Sequence, residues 1–230
     1  MTPQDRELNP EILTEIARHP GVTLAGSIYA VAEADRFAAA QRLERAGLWI
    51  HADVIMDDRR HRGVDLSLVR TLAERRTGPL DIHVIAPELD GLIDEICARK
   101  VDRVTFPFES CADHDAVADT AERIRASGAA AWLAVAPATE LSAVRPCFEM
   151  VDGLLVMLIE PGSTGAADPA LAAKAGQTRP ALPAGVDGGV DAANLGVCLQ
   201  AGADYVVSGR ALFSTAPAAP TPPTHTVPKP

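Results

Sequence analysis

The stretch GLWIHADVIMD, residues 47–57, decides how the rest of the chain is read. It is an apolar run with the look of a buried strand, yet it carries His51 and Asp53 two residues apart, each with apolar neighbours on both sides. In an extended strand, residues i and i+2 point to the same face. An imidazole and a carboxylate therefore project together from an otherwise apolar element. An unpaired buried charge is costly, so this pair needs partners from elsewhere in the chain.

The rest of the sequence supplies a repeating plan around it. Apolar segments that read as strands occur at VTLAGSIYA (22–30), LWIHADVI (48–55), LDIHVI (80–85), RVTFPF (103–108), AAWLAV (130–135), GLLVMLI (153–159), ALPAGVD (181–187) and DYVVSG (204–209). Between them lie amphipathic segments with apolar positions near a 3.6-residue period, several opening on Asp or Glu and several closing on Gly. Strands alternating with helices imply a parallel sheet with right-handed crossovers. Eight strands are the number that closes a (β/α)8 TIM barrel, the expected fold. An open doubly wound sheet would carry a Gly-rich dinucleotide turn after its first strand, and LAGSIYAVAEAD offers none.

Both ends depart from the ideal barrel. Residues 1–20, with NPEILTEIARHP, read as an N-terminal helical extension, residues 21–214 as the barrel, and residues 215–230 as a Pro-rich disordered tail. PAAPTPPTHTVPKP cannot form a normal eighth helix, so the last helix is expected to be reduced or missing. The extra N-terminal helix is expected to cover the surface which that helix would have shielded.

Composition excludes several function classes. With 21 basic and 31 acidic residues the formal charge is −10, and no basic run extends beyond DDRRHR, so neither nucleic acid nor an anionic membrane is an expected partner. Four cysteines show no C-x-x-C pair and read as reduced, packed thiols. The first residues are too polar for a signal peptide and no apolar run approaches a transmembrane span, so a soluble cytoplasmic protein is expected.

In a parallel barrel, functional side chains gather at the C-terminal ends of strands. His51, Asp53, His83 and Asp187 fall there. Two imidazoles and two carboxylates suit one divalent metal ion such as Zn, Fe, Mn or Co. Each also has an ordinary reading, since a lone buried His is usually hydrogen-bonded in a core and an Asp ending a strand is often a helix N-cap. The Gly-rich turns DGGVDAAN and SGRALF place Gly188, Gly189 and Gly209 after strands 7 and 8, a frequent phosphate site, although tight turns alone also use glycine. EPGSTGA after strand 6, with Gly162 and Gly165, reads as a flap over the site or as a plain connector.

Taken in order, WIHADVIMD, LDIHV, VMLIEPGSTG, GVDGGVDAAN and ADYVVSGRALF resemble the ribulose-phosphate 3-epimerase family over about residues 22–213. The resemblance implies a ribulose-phosphate-binding barrel that inverts C3 of a ketose phosphate, D-ribulose 5-phosphate or a related sugar phosphate, through a cis-enediolate. It implies that His51, Asp53, His83 and Asp187 hold the metal and that Asp53 and Asp187 are the acid–base pair. Ser27, in GSIYA, would lie near the substrate, with Met157 and Met56 in the apolar wall around the reacting carbons. Gly188, Gly189 and Gly209 would belong to the phosphate turn, where Arg210 either adds a bidentate contact or points to solvent. Members assemble as homo-oligomers, commonly dimers or hexamers. Departures fall in the substrate-facing loops: HADVIMDD lacks the family's Gly, and Pro107, Glu160, Ala166 and Arg210 replace common His, Asn, Gln and Ser. Two other readings compete: a lyase or decarboxylase on a related phosphate-binding barrel, which would need a D-x-K-x-x-D strand absent here, and a decayed barrel serving as a binding protein.

Overall fold

A computed structural model describes residues 7–57, 60–163 and 165–214. All eight expected strands form: β1 Thr23–Ser27, β2 Trp49–Asp57, β3 Leu80–Ile85, β4 Arg103–Pro107, β5 Ala130–Val135, β6 Gly153–Met157, β7 Ala184–Asp187 and β8 Tyr205–Ser208. Each is parallel to its neighbours, and β1 pairs with both β2 and β8, so the sheet closes into a TIM barrel. A two-residue arm, Arg60–His61, folds back antiparallel on the end of β2. That arm carries β2 beyond the barrel rim. His51 and Asp53 therefore sit mid-strand rather than late in it, and His51 is level with Ser27, the last residue of β1.

Acidic residues cap two of the longer helices. Asp65 accepts from the Ser67 amide at the start of α3 (Leu66–Arg75), and Asp113 accepts from the Ala116 amide at the start of α5 (His114–Ala126). Around the barrel run α2 (Arg36–Arg45), α4 (Leu92–Cys97), α6 (Leu141–Val144), α7 (Ala173–Gly176) and α8 (Leu195–Gln200). Helix α6 is only four residues long, because Pro146 lacks the amide hydrogen that would continue it.

Among the described residues, β8 is followed only by α9, Arg210–Phe213, a helix of one turn. The extra helix α1 (Pro10–Ala17) lies beside it. The Asn9 amide donates to Leu212 O at 2.8 Å, and Asn9 Nδ2 donates to Ala211 O at 3.1 Å. Leu8 and Ile12 are buried in the same apolar cluster as the barrel helices. The expected tail, residues 215–230, lies outside the described residues.

Inside the barrel, Trp49 and Trp132 each pack edge-on against Tyr205 near the N-terminal end, with ring centroids 6.0 and 5.4 Å from it. Gly153 makes room for this layer, since a Cβ there would collide with the Trp132 indole. The four cysteines are free thiols, with Cys147 and Cys198 buried. Among the described residues, no helix is long and apolar enough to cross a membrane.

Candidate active site and metal centre

Strand register brings the four sequence-marked residues together. His51 pairs across the β2–β3 ladder with Asp81 and Asp53 with His83, while Asp187 ends β7 opposite Met157. Each of the four offers one ligand atom within 4.8 Å of the others, and all four side chains are buried. His51 Nε2 lies 3.3 Å from Asp53 Oδ1 and 3.5 Å from Asp187 Oδ2. His83 Nδ1 lies 3.2 Å from Asp53 Oδ1 and 3.4 Å from Asp187 Oδ2. Asp187 thus faces the two imidazoles rather than capping a helix.

The electrostatics favour positive charge among these four side chains. Burial opposes the carboxylate of Asp53, yet the His51 and His83 imidazoles beside it hold its pKa far below the usual range. Burial likewise opposes ionisation of Asp187, and its contacts with His51 and His83 outweigh that penalty. For His83, burial pulls the pKa down, but contacts with Asp187 and Asp53 push it up to about 8. His51 also stands well above 6.5: burial is overridden by the Asp53 charge and by contacts with Asp187, Asp53 and Asp81.

The donor set fits a divalent ion on two observations. First, His51 Nε2 is buried without a hydrogen-bond partner, although two carboxylates stand beside it. Second, among the described residues the strand ring encloses three buried carboxylates, Asp53, Asp81 and Asp187, against one guanidinium, Arg103, the other buried arginine, Arg36, lying on α2 outside the ring. A histidine must be neutral to bind a metal, and with both imidazoles neutral two negative charges remain, which a divalent ion would offset.

Above the cluster the site opens into two adjoining lobes that share Tyr29, Ile55, Ile85, Met157 and Gly162. One, of about 470 Å³, is lined by Ser27, Asp53, Asp187, Gly188, Gly189 and Gly209, with Arg210 at its edge. The other, of about 490 Å³, runs past His83 and Met56 to Pro107, Glu109 and Glu160. Gly188 and Gly189 adopt φ of +105° and +69°, which L side chains rarely tolerate. A Cβ at Gly188 would also stand 2.6 Å from Ile159 Cγ1.

The chain matches the Ribulose-phosphate 3 epimerase family over residues 23–213. It belongs to that family. Curated relatives include the ribulose-phosphate 3-epimerase of Treponema pallidum (strain Nichols), 29% identical over 178 residues that cover 72% of this chain and 79% of that protein. The enzyme of the same name from Mycobacterium leprae (strain TN) is 30% identical, with 73% and 78% covered, and that of Escherichia coli (strain K12) is 31% identical, with 60% and 63% covered. Among solved structures, a variant tryptophan synthase α-subunit from Pyrococcus furiosus superposes with a TM-score of 0.60 at 15% identity, covering 84% of this chain and 88% of that one, a likeness of fold. Membership in an epimerase family places the chain among the isomerases.

Within this epimerase fold, the structure brings Ser27, Met157, Gly162, Gly188, Gly189, Gly209 and Arg210 to the cavity walls. Gly165 lies outside the lining of both lobes, and Thr164 beside it lies outside the described residues. The turn after β7 does not run directly into a helix: α8 begins at Leu195, and Asp191 and Asn194 close an intervening turn through their own side chains. Arg210 is exposed at the first turn of α9.

A layer beneath the cluster went unmarked in the sequence. Asp81 Oδ2 lies 2.9 Å from His51 Nδ1 and accepts from Tyr205 Oη at 2.8 Å, while Asp81 Oδ1 accepts from Thr105 Oγ1 at 3.0 Å. Arg103 reaches Asp81 at 3.9 Å and stacks its guanidinium 4.4, 3.7 and 4.3 Å from the ring centroids of Trp49, Trp132 and Tyr205. The spacing D-x-H in LDIHVI was the available signal for Asp81. It repeats the H-x-D spacing of β2 and puts both side chains on the same face.

Proposed function

We propose that this chain inverts C3 of a ketose phosphate, D-ribulose 5-phosphate or a related sugar phosphate. The observation that carries the reading is the convergence of His51, Asp53, His83 and Asp187 at the floor of a cavity whose rim is the Gly188–Gly189 turn. A divalent ion held by those four residues would polarise the ketone and offset the charge that develops on its oxygen.

Inverting a carbon beside a ketone requires removing a weakly acidic proton from one face and returning one to the other. Asp53 on β2 and Asp187 on β7 belong to strands three apart around the ring, and both line the same lobe. In this reading one carboxylate removes the C3 proton and the other delivers a proton to the opposite face of the planar enediolate. Which of the two acts first depends on the configuration of the sugar. Met157, which lines both lobes, would form part of the apolar wall around the reacting carbons. Backbone amides of the glycine turns, with Arg210, hold the phosphate; a guanidinium can do so in a bidentate fashion. Among the described residues no lysine lines either lobe, which disfavours the lyase reading.

The test is incubation of the purified chain with ribulose 5-phosphate in deuterated water, alongside elemental analysis. About one divalent ion per chain and exchange of the C3 hydrogen are expected. A divalent ion without exchange would point to another sugar phosphate, and the absence of both signals would overturn the proposal.

A further inference from the structure

Asp81 is a fully buried carboxylate that is neither one of the four clustered donors nor a wall of either lobe. Three protein groups hold it: Tyr205 Oη and Thr105 Oγ1 donate to its two oxygens, and Arg103 stands 3.9 Å away. Its remaining contact is His51 Nδ1 at 2.9 Å. A carboxylate only accepts, so the proton lies on Nδ1, and the lone pair of the neutral ring is then on Nε2. Nε2 is the buried atom that has no hydrogen-bond partner and faces Asp53 and Asp187.

We propose that Asp81 is the positioning residue of the metal centre: it fixes the tautomer and rotation of His51 and thereby aims Nε2 at the site between Asp53 and Asp187. Arg103 in its ring of Trp49, Trp132 and Tyr205 supplies the countercharge that lets Asp81 sit so deep. Ring partners of this kind are a general means of orienting metal-binding histidines. The inference rests on the metal reading of the four-residue cluster, and its test keeps the two apart.

Affinity for manganese or zinc is measured on the full chain by competition with a chromophoric chelator, together with the thermal unfolding of the metal-stripped protein. Asp81→Ala removes the acceptor and is expected to weaken binding by roughly tenfold to a hundredfold. Asp81→Asn tells orientation from charge. Its carbonyl can still face His51 and Tyr205, with the amide turned to Thr105, whose hydroxyl also accepts. It should therefore lose at least about threefold less affinity than Asp81→Ala. Equal losses in the two variants, or wild-type affinity in Asp81→Ala, would overturn the proposal. Should Asp81→Ala not fold, Tyr205→Phe and Thr105→Val each delete one hydroxyl that holds Asp81; a weaker ion affinity in both supports the inference and unchanged affinity in both refutes it. A wild-type chain that binds neither metal would refute the metal reading itself, and this inference with it.

Discussion

Ser27 Oγ donates a 2.6 Å hydrogen bond to Oδ2 of Asp53, while the other oxygen of that carboxylate faces both imidazoles of the cluster. The two oxygens of Asp53 are thus divided between the imidazoles of the cluster and Ser27. A hydrogen bond to the ionised form fixes the direction of the lone pairs and favours the charged state. Ser27→Ala is expected to cost about 1.5–3 kcal/mol in transition-state stabilisation, roughly tenfold to a hundredfold in kcat. An unchanged kcat would remove Ser27 from the mechanism.

Asp187→Asn keeps the size of the side chain but cannot exchange a proton as a carboxylate does. Turnover should fall by roughly 10²–10⁴-fold, the usual contribution of a positioned acid or base. The fold should survive, since Asp187 caps no helix and its partners are the two histidines. Circular dichroism beside the epimerase assay checks both halves, and wild-type activity in this variant would refute the acid–base assignment.

The metal-stripped chain should show an unusual dependence of stability on pH. The folded His83 has its pKa raised to about 8, because contacts with Asp187 and Asp53 overcome burial. A raised pKa contributes stability that is complete below the unfolded value near 6.5 and is lost as pH rises through the folded value, about 2 kcal/mol for this residue. His51, raised in the same direction, adds to the same loss. Asp53 and Asp187, both lowered, contribute stability above the ordinary carboxylate range that is lost only in acid. Urea denaturation with a chelator present should thus give a higher midpoint near about pH 6 than near about pH 9. A bound ion replaces these protons, so its affinity should rise over the same interval. A stripped chain more stable at the alkaline end would contradict these shifts.

Much of the barrel was legible because its signals are local. LDIHVI and AAWLAV coincide with β3 and β5 to the residue, since each is a short apolar run closed off by turn-forming neighbours. The cluster was legible because H-x-D on one strand puts two polar groups on one face and strand ends converge in a barrel. Arg103 was not legible in that way. An arginine at the first position of a strand ordinarily marks a solvated edge, and only closure of the barrel brings Trp49, Trp132 and Tyr205 onto its guanidinium. Asp81 lay in plain view, but its role depends on the His51–Asp81 register between β2 and β3, which no local pattern specifies. Lengths such as the four residues of α6 depended on where a single proline cut the periodic pattern short.

The pairing of α1 with the shortened α9 leads to a prediction about stability rather than catalysis. A complete barrel would cover the β8–β1 side with a full eighth helix, whereas here α9 has one turn and α1 lies against it through Asn9. Asn9 also caps α1, accepting from the amides of Glu11 and Ile12, so one side chain ties the helix start to the end of the barrel. Ile12 is completely buried in the common core. Truncating such a residue to alanine costs about 2–5 kcal/mol. In a chain of this size, that corresponds to a fall in Tm of roughly 10 °C. We therefore expect Ile12→Ala to melt well below the wild type, and a chain lacking residues 1–19 to melt lower still, while the ion affinity of whatever remains folded is little changed, because α1 touches none of the four clustered residues. A chain lacking residues 1–19 that melts with the full protein would show that α1 is an appendage and that the one-turn α9 covers the barrel unaided.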